Sequence, residues 1–280
     1  MKKSSIIIFF AVFEIIAILL FITLNDIFYL FNFTYIGACL SIGLYLYNVD
    51  SKYSKYARNF IQLAIGLYML VYLGIISREN MMIEGFWYYL FLGVFEAAVI
   101  HYLVAKILGP FLFGRGWCGY ACWTAMILDL LPYKTPNKNL DHERKNFGFI
   151  RYILFIASLI GVGLLFMMNV PNLSTVMFYL FIAGNIVYYT VGIILAYALK
   201  DNRAFCKYIC PTTVFLKIGA RYSLLKVKYK RENCISCNKC YRVCPMDVDI
   251  CNNDKNKKNG TECILCLSCA KECGNDALFL

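Results

Sequence analysis

Charge is what this chain of 280 residues has least of: Asp, Glu, Lys and Arg together make up 16% of it, against 60% hydrophobic and 17% aromatic residues. That balance is too apolar for a soluble domain of this size, and it excludes a disordered tail and a secreted disulfide mini-protein. Histidine is almost missing. With His101 and His142 the only two, and no C-x-x-C-H, a bis-histidine haem held within one chain is excluded. No G-x-G-x-x-G, Walker A loop or nucleophile elbow occurs, so nicotinamide chemistry would have to belong to a partner. Met-rich and His-rich tracts are absent as well, which counts against copper handling. The basic residues follow the apolar runs and not a recognition helix, so nothing points to nucleic acid.

What the chain does have is long apolar runs. A hydrocarbon core of about 30 Å needs roughly 20 apolar residues per helix, and six runs qualify: 5–24, 27–48, 59–77, 86–108, 150–170 and 176–199. They predict an all-α six-helix transmembrane bundle. Lys2, Lys3, Lys52, Lys55, Arg58 and a basic loop after the fourth run lie on one side, with Arg78 alone on the other. The positive-inside rule then puts both termini and all the basic loops in the cytoplasm, and the chain in the cell membrane. The first run is longer than a signal-peptide core and no small-x-small site follows it, so it reads as an anchoring helix.

Cysteine is abundant, at 14 residues, and it is clustered. Beyond residue 220 the apolar character stops, the alternating stretch 225–229 reads as a short strand, and two runs of C-x2-C-x2-C-x3-C follow. They are Cys234, Cys237, Cys240, Cys244 and Cys263, Cys266, Cys269, Cys273. Paired runs of this kind are the two-cluster ferredoxin signature, in which the fourth cysteine of each run ligates the other cluster. One [4Fe-4S] cluster is therefore assigned to Cys234, Cys237, Cys240 and Cys273, and the other to Cys263, Cys266, Cys269 and Cys244, in a small α+β ferredoxin-like domain. A zinc ribbon would need C-x2-C pairs set well apart, and disulfides do not suit a reducing cytoplasm. Gly274 stands where the first run has Pro245.

A second pattern is an internal repeat. Arg115-Gly-Trp-Cys118-Gly-Tyr120-Ala-Cys122 matches Arg203-Ala-Phe-Cys206-Lys-Tyr208-Ile-Cys210 at an offset of 88 residues. Each copy follows an apolar run, so a pseudo-twofold axis along the membrane normal would relate the third and fourth helices to the fifth and sixth. Such an axis brings Cys118, Cys122, Cys206 and Cys210 together as four thiolates, and sets the expectation of a third iron–sulfur cluster at the membrane surface. Two separate redox or structural pairs, a disulfide or a single bound metal ion remain open alternatives. Arg115 and Arg203 read either as charge compensation for a cluster or as anchors of their helices at the interface. Trp117, Phe205, Tyr120 and Tyr208 suit an interfacial aromatic belt. Setting Cys39 and Cys251 aside leaves 12 cysteines, three sets of four.

Ionisable residues inside apolar runs are functional candidates by default. Glu14, Glu96 and His101 are candidates for moving quinol protons, with burial against a Tyr or Ser hydroxyl as the alternative reading. Asn185 reads as helix-packing glue. The divisions expected are two N-terminal helices over 1–48, a four-helix core with both C-x3-C motifs over 49–220, and the ferredoxin domain over 221–280.

The stretches 114–122, 206–211 and 240–250 together resemble the NapH-type membrane-bound polyferredoxins, relatives of the NosR and CcoG membrane proteins, and the resemblance covers about residues 58–280. It implies a membrane electron-transfer protein, in several relatives a quinol dehydrogenase subunit feeding a reductase. Trp123 replaces a usual proline, Asp247 a common glycine and Cys251 a frequent arginine. The function expected is electron transfer between a membrane donor or acceptor (quinone, a flavin or a partner subunit) and redox partners, as an oxidoreductase or a subunit of one. A net charge of +11 suits anionic headgroups and an acidic cytoplasmic ferredoxin or flavoprotein. The alternatives are a metal-ion (cupric) reductase with Cys118, Cys122, Cys206 and Cys210 as the metal site, or a redox assembly factor.

Overall fold

The computed structural model describes residues 3–48, 56–95, 97–136, 145–251 and 260–280. Five helices among them are long and apolar enough to cross a membrane: Ile6–Leu24, Ile27–Leu46, Ala57–Ile76, Phe147–Met167 and Leu173–Leu199. Their outward faces leave Ile7, Ile22, Met167 and Tyr179 exposed, a surface that suits hydrocarbon and not water. Helix α1 (Lys3–Leu24) pairs with α2 (Ile27–Asn48). Helix α3 (Ala57–Leu67) continues to Ile76 with a widened, π-type turn.

The fourth expected span is corrected. Residues 86–108 do not form one helix. Gly93 turns left-handed at φ 70 and closes α4 (Ile83–Leu92), its N–H bonding back to the Leu90 and Tyr89 carbonyls, and only glycine adopts that cap without a steric cost. Helix α5 starts at Ala97 and runs on through widened turns to Phe113. It contains a shorter apolar stretch, Ala98–Phe113, below the length of the five spans. Hydropathy merged α4 with α5 because both are apolar and only one glycine separates their directions.

Before α4 the chain dips into the bundle. Helices α8 (Ile150–Met167) and α9 (Leu173–Leu199) give the scale. The Asn80 amide donates to the Met177 carbonyl at 2.9 Å, and two residues later Met82 Sδ meets the Asn185 amide at 3.6 Å. Met177 and Asn185 are eight residues apart on α9, about 12 Å along its axis. Helix α4 then climbs back, with the Trp87 indole N–H on Ser158 Oγ at 3.1 Å and Phe91 against Phe166. Extended backbone at this depth is tolerated because protein surrounds it; Asn80, Met81 and Met82 are all buried.

Two single-turn helices, α6 (Gly116–Tyr120) and α10 (Ala204–Tyr208), carry the C-x3-C motifs, and α7 (Trp123–Leu128) and α11 (Thr213–Arg221) follow them. Beyond these lie α12 (Lys239–Arg242) and α13 (Ser268–Lys271). Strand β1 (Lys228–Tyr229) pairs antiparallel with β2 (Leu278–Phe279), Lys228 opposite Phe279. The strand expected over 225–229 is thus only two residues long. One hydrophobic core runs without a break from Ile61, Ile65 and Met69 of α3, through Trp117 and Trp123, to Met246 and Ile264 of the C-terminal domain. The C-terminal domain therefore shares the bundle's core and does not hang from it on a tether.

Asp129 closes this core with a charge pair. Its carboxylate takes Arg203 Nε at 2.7 Å and Nη2 at 2.5 Å, and Arg58 Nη1 at 2.6 Å, with Arg203 only 1% exposed. Burial opposes the ionised carboxylate, but Arg203 and then Arg58 outweigh it and hold Asp129 below the usual carboxylate range. Replacing Asp129 by Ala leaves a buried guanidinium without its partner, at an expected cost of about 3–5 kcal/mol. The check is the thermal midpoint in detergent micelles, which should fall clearly; an unchanged midpoint would show the pair to be dispensable.

Candidate iron–sulfur site

The two C-x3-C loops are built alike. In each, one helical turn carries the first cysteine and the second follows it: the Ala121 and Cys122 N–H groups donate to the Trp117 carbonyl, as Ile209 and Cys210 do to Phe205. The arginine ahead of each turn reaches across to the other loop. Arg115 Nη2 donates to the Cys206 carbonyl at 3.2 Å, and Arg203 Nη1 to the Cys118 carbonyl at 2.9 Å. Both arginines are buried, at 0% and 1% exposure, so they are not interfacial anchors of their helices. They are crosslinks between the loops. Trp117 and Phe205 are buried too, which removes them from an aromatic belt.

Across this joint Cys206 and Cys210 stand within electrostatic reach of both Cys118 and Cys122. Burial, and then the thiols of Cys122 and Cys118, push Cys210 up to about 11. Burial pushes Cys206 higher still, against the pull of Arg203. Thiols this reluctant to ionise become thiolates when a metal supplies the compensating charge. Among the described residues, no three His, Cys, Asp or Glu side chains are placed to share one metal ion.

The ferredoxin runs also repeat one backbone. Ser236 and Leu265, Asn238 and Leu267, and Asp247 and Asp276 are equivalent positions 29 residues apart, and all six have φ between 49 and 59. A residue with a Cβ resists this left-handed region by roughly 1–2 kcal/mol, so leucine at two such positions marks a loop held for a purpose other than its own comfort. The turns aim N–H groups at sulfur: Ser236 N–H donates to Cys234 Sγ and Val248 N–H to Cys244 Sγ, each at 3.4 Å.

Cys244, Cys263, Cys266 and Cys269 line one small cavity, whose other walls include Val227, Val248, Ile250 and Ile264. An apolar cradle with four convergent thiols fits a thiolate-ligated cluster. In the other set, Cys240 is in reach of Cys234 and Cys273, and Cys237 is exposed on the same loop. The fourth cysteine of each run thus lies beside the other run. Cys251, exposed, adds a fifth free thiol here: it is hydrogen-bonded to Cys240, and burial followed by Cys240 and Cys234 pushes it up to about 11. Cys39 lies apart, buried in α2.

The second run is docked on the first C-x3-C loop. A Cβ at Gly119 would stand 2.4 Å from the Ile264 carbonyl oxygen, so glycine is required for this approach. The Tyr120 hydroxyl donates to the Leu265 carbonyl at 2.9 Å. Glu262 accepts from Arg115, from Arg151 at 3.1 Å and from Lys217. Lys207 bridges Asp201, at 2.7 Å, and Asp247. Asp247, unusual by resemblance, is therefore part of the joint.

The proton candidates separate. Thr34 Oγ1 donates to Glu14 Oε2 at 3.1 Å, while Glu14 Oε1 is sealed without a partner. His101 is buried with its ring edge-on to Trp117 at 4.9 Å and its Nε2 unbonded. Glu96 lies outside the described residues. Two charges escaped the sequence reading. Glu84, in the first turn of α4, has a sealed Oε2 without a partner. Lys106, inside α5, is 4% exposed, with its ammonium 4.7 Å from the Trp117 ring centre and 5.9 Å from that of Trp123. Lys106 interrupts the run 86–108, and the rule that singled out Glu14 would have found it; Glu84 lies two residues ahead of that run.

Residues 226–274 match the 4Fe-4S dicluster domain family, and residues 98–138 with 182–232 match a 4Fe-4S binding domain family. The chain is an iron–sulfur protein of ferredoxin type with membrane-crossing helices. It is similar to MJ0749 of Methanocaldococcus jannaschii, at 28% identity over 65% of this chain and 70% of the relative. It is also similar to YccM of Escherichia coli, named for electron transport, at 23% over 64% and 54%, and to the nitrogen fixation protein FixG of Rhizobium meliloti, at 24% over 57% and 37%. No solved structure matches the chain. These likenesses support a ferredoxin-type electron-transport kinship broadly, without separating the NapH kind from its relatives.

Gly119→Val should force the first C-x3-C loop off Ile264. Hydrogen exchange at 263–267 should accelerate at least tenfold while the helices stay protected, and unchanged exchange would show that the contact does not hold the domain.

Proposed function

We propose that this chain is a membrane electron conduit with three iron–sulfur centres. Cys234, Cys237, Cys240 and Cys273 hold one [4Fe-4S] cluster, Cys263, Cys266, Cys269 and Cys244 a second, and Cys118, Cys122, Cys206 and Cys210 a third at the membrane surface. Bound there, the clusters supply one-electron chemistry at fixed positions. The observation that carries this reading is the direct contact of Gly119 and Tyr120 with Ile264 and Leu265. It joins the loop between Cys118 and Cys122 to the loop between Cys263 and Cys266, so two ligand loops touch with no solvent layer between them. The reciprocal bonds from Arg115 and Arg203 favour the pseudo-twofold arrangement, since each motif copy grips the backbone of the other.

The chain's own residues fix the order of transfer. The apolar cradle around Cys244 and Cys263 keeps water from the second cluster, and the Glu262 joint holds it against the third; the first, with exposed Cys237, faces a soluble ferredoxin or flavoprotein. All 12 ligands lie on one face, cytoplasmic by the positive-inside rule, with both termini on that side of the cell membrane. A quinone, a flavin or a partner subunit therefore exchanges electrons at the membrane end. The name of YccM, an electron transport protein, agrees with this kind of work. A cupric reductase would need a single-ion thiol site, and nothing favours that reading.

Iron and acid-labile sulfide per chain decide the matter. About 12 Fe should be found in the anaerobically purified protein and about 8 in a Cys118→Ser, Cys206→Ser double variant, with the EPR signals of the ferredoxin clusters retained. About 8 Fe in both would overturn the third cluster.

A further inference from the structure

We infer that Lys106 is the membrane-side countercharge of the four-thiolate centre and raises its reduction potential. The inference rests on the third cluster proposed above.

Lys106 sits in α5, within an apolar stretch, yet its side chain is turned from lipid and 4% exposed. Two rings hold its ammonium: Trp117, which immediately precedes Cys118, and Trp123, which immediately follows Cys122. Trp123 is itself fixed, its indole N–H on Asn185 Oδ1 at 2.8 Å. The ammonium lies in the electrostatic field of Cys118, Cys122 and Cys210. Among the described residues it has no carboxylate partner, unlike the three buried arginines at the centre: Arg115 and Arg151 are spent on Glu262 and Arg203 on Asp129.

A buried ammonium without an anion costs several kcal/mol, and two cation–π contacts return only about 2 each at best. What remains to balance Lys106 is the centre itself. A cluster with four thiolates is anionic when oxidised and one unit more so when reduced. A fixed positive charge beside it therefore stabilises the reduced state more than the oxidised one, and in a low-dielectric setting the difference is large. The arginines, Arg151 of α8 included, are tied to carboxylates, whereas Lys106 meets the thiols with no carboxylate beside it among the described residues. That also gives Trp123 a function where a proline is usual: its ring closes the far side of the ammonium's seat.

Lys106→Met, Lys106→Gln and Lys106→Arg are compared with the parent chain in lipid nanodiscs, with iron per chain counted and the membrane centre titrated by EPR at controlled potential. Met and Gln should shift the reduction equilibrium at least tenfold toward the oxidised state, 59 mV downward for a one-electron couple. Arg should stay within threefold of the parent, and the ferredoxin clusters should not move. If Met and Gln lose the third cluster's iron while Arg keeps it at the parent potential, the requirement for a cation is equally established. Twelve Fe with unmoved potentials in Met and Gln, or loss of the third cluster in Arg as well, would overturn the role of Lys106 and leave the cluster standing. Eight Fe in the parent would overturn both.

Discussion

Arg115 joins three pieces of this molecule with one guanidinium. It belongs to the first C-x3-C loop, donates to the backbone of the second at Cys206, and pairs with Glu262 at the entrance of the second ferredoxin run. A fully buried arginine is unfavourable on its own, and the cost is recovered only when its donors are met. Here Nη1 and Nη2 are met only if the two loops and the C-terminal domain assemble together, while Nε stays without a partner. The same interaction that satisfies the charge thus fixes the relation of the cysteine sets, and Gly119 and Tyr120 add the close contact that a charge pair alone would not impose. Electron transfer falls steeply with distance, so a joint of this kind is a functional requirement and more than a source of stability.

The cysteine sets were legible because ligation chemistry dictates local spacing: three thiols on one tight loop, or two at one turn of helix, must be written into adjacent sequence. The left-handed turns at Leu265 and Leu267 were not, since nothing in a leucine announces a positive φ. Glu262 and Asp129 were equally silent, and Asp247 showed only as a departure from a common glycine. Each is a lone acid in a basic surrounding, and its partners come from elements 40 to 147 residues away. The two arginines of the repeat were visible, but their burial was not: sequence places them at the end of an apolar run, where an anchor and a crosslink look the same. Helix α4 was hidden for a different reason. A hydropathy window reads how apolar a stretch is and is blind to its direction, so the dip through Asn80 and Met82 and the reversal at Gly93 merged into one span.

The electrostatics of the joint follow from how its carboxylates are shared. Glu262 meets three cations, Asp129 meets two, and Lys207 meets Asp201 and Asp247. Among the described residues, six cations face these four carboxylates at the joint between the helices and the ferredoxin domain. In a folded protein without cofactors that excess would be a liability, because buried like charges repel in a medium that screens poorly. It becomes a stabilising field once thiolates are ligated beside it. In the proposed reading folding and cluster loading would be linked: burial pushes the thiols of Cys206 and Cys210 up, and a metal that displaced their protons would let the surrounding cations meet thiolate charge. The net +11 of the whole chain therefore combines two different charges. One part lies in the loops that orient the helices in the membrane. The other is buried at the joint, beside the cysteine sets.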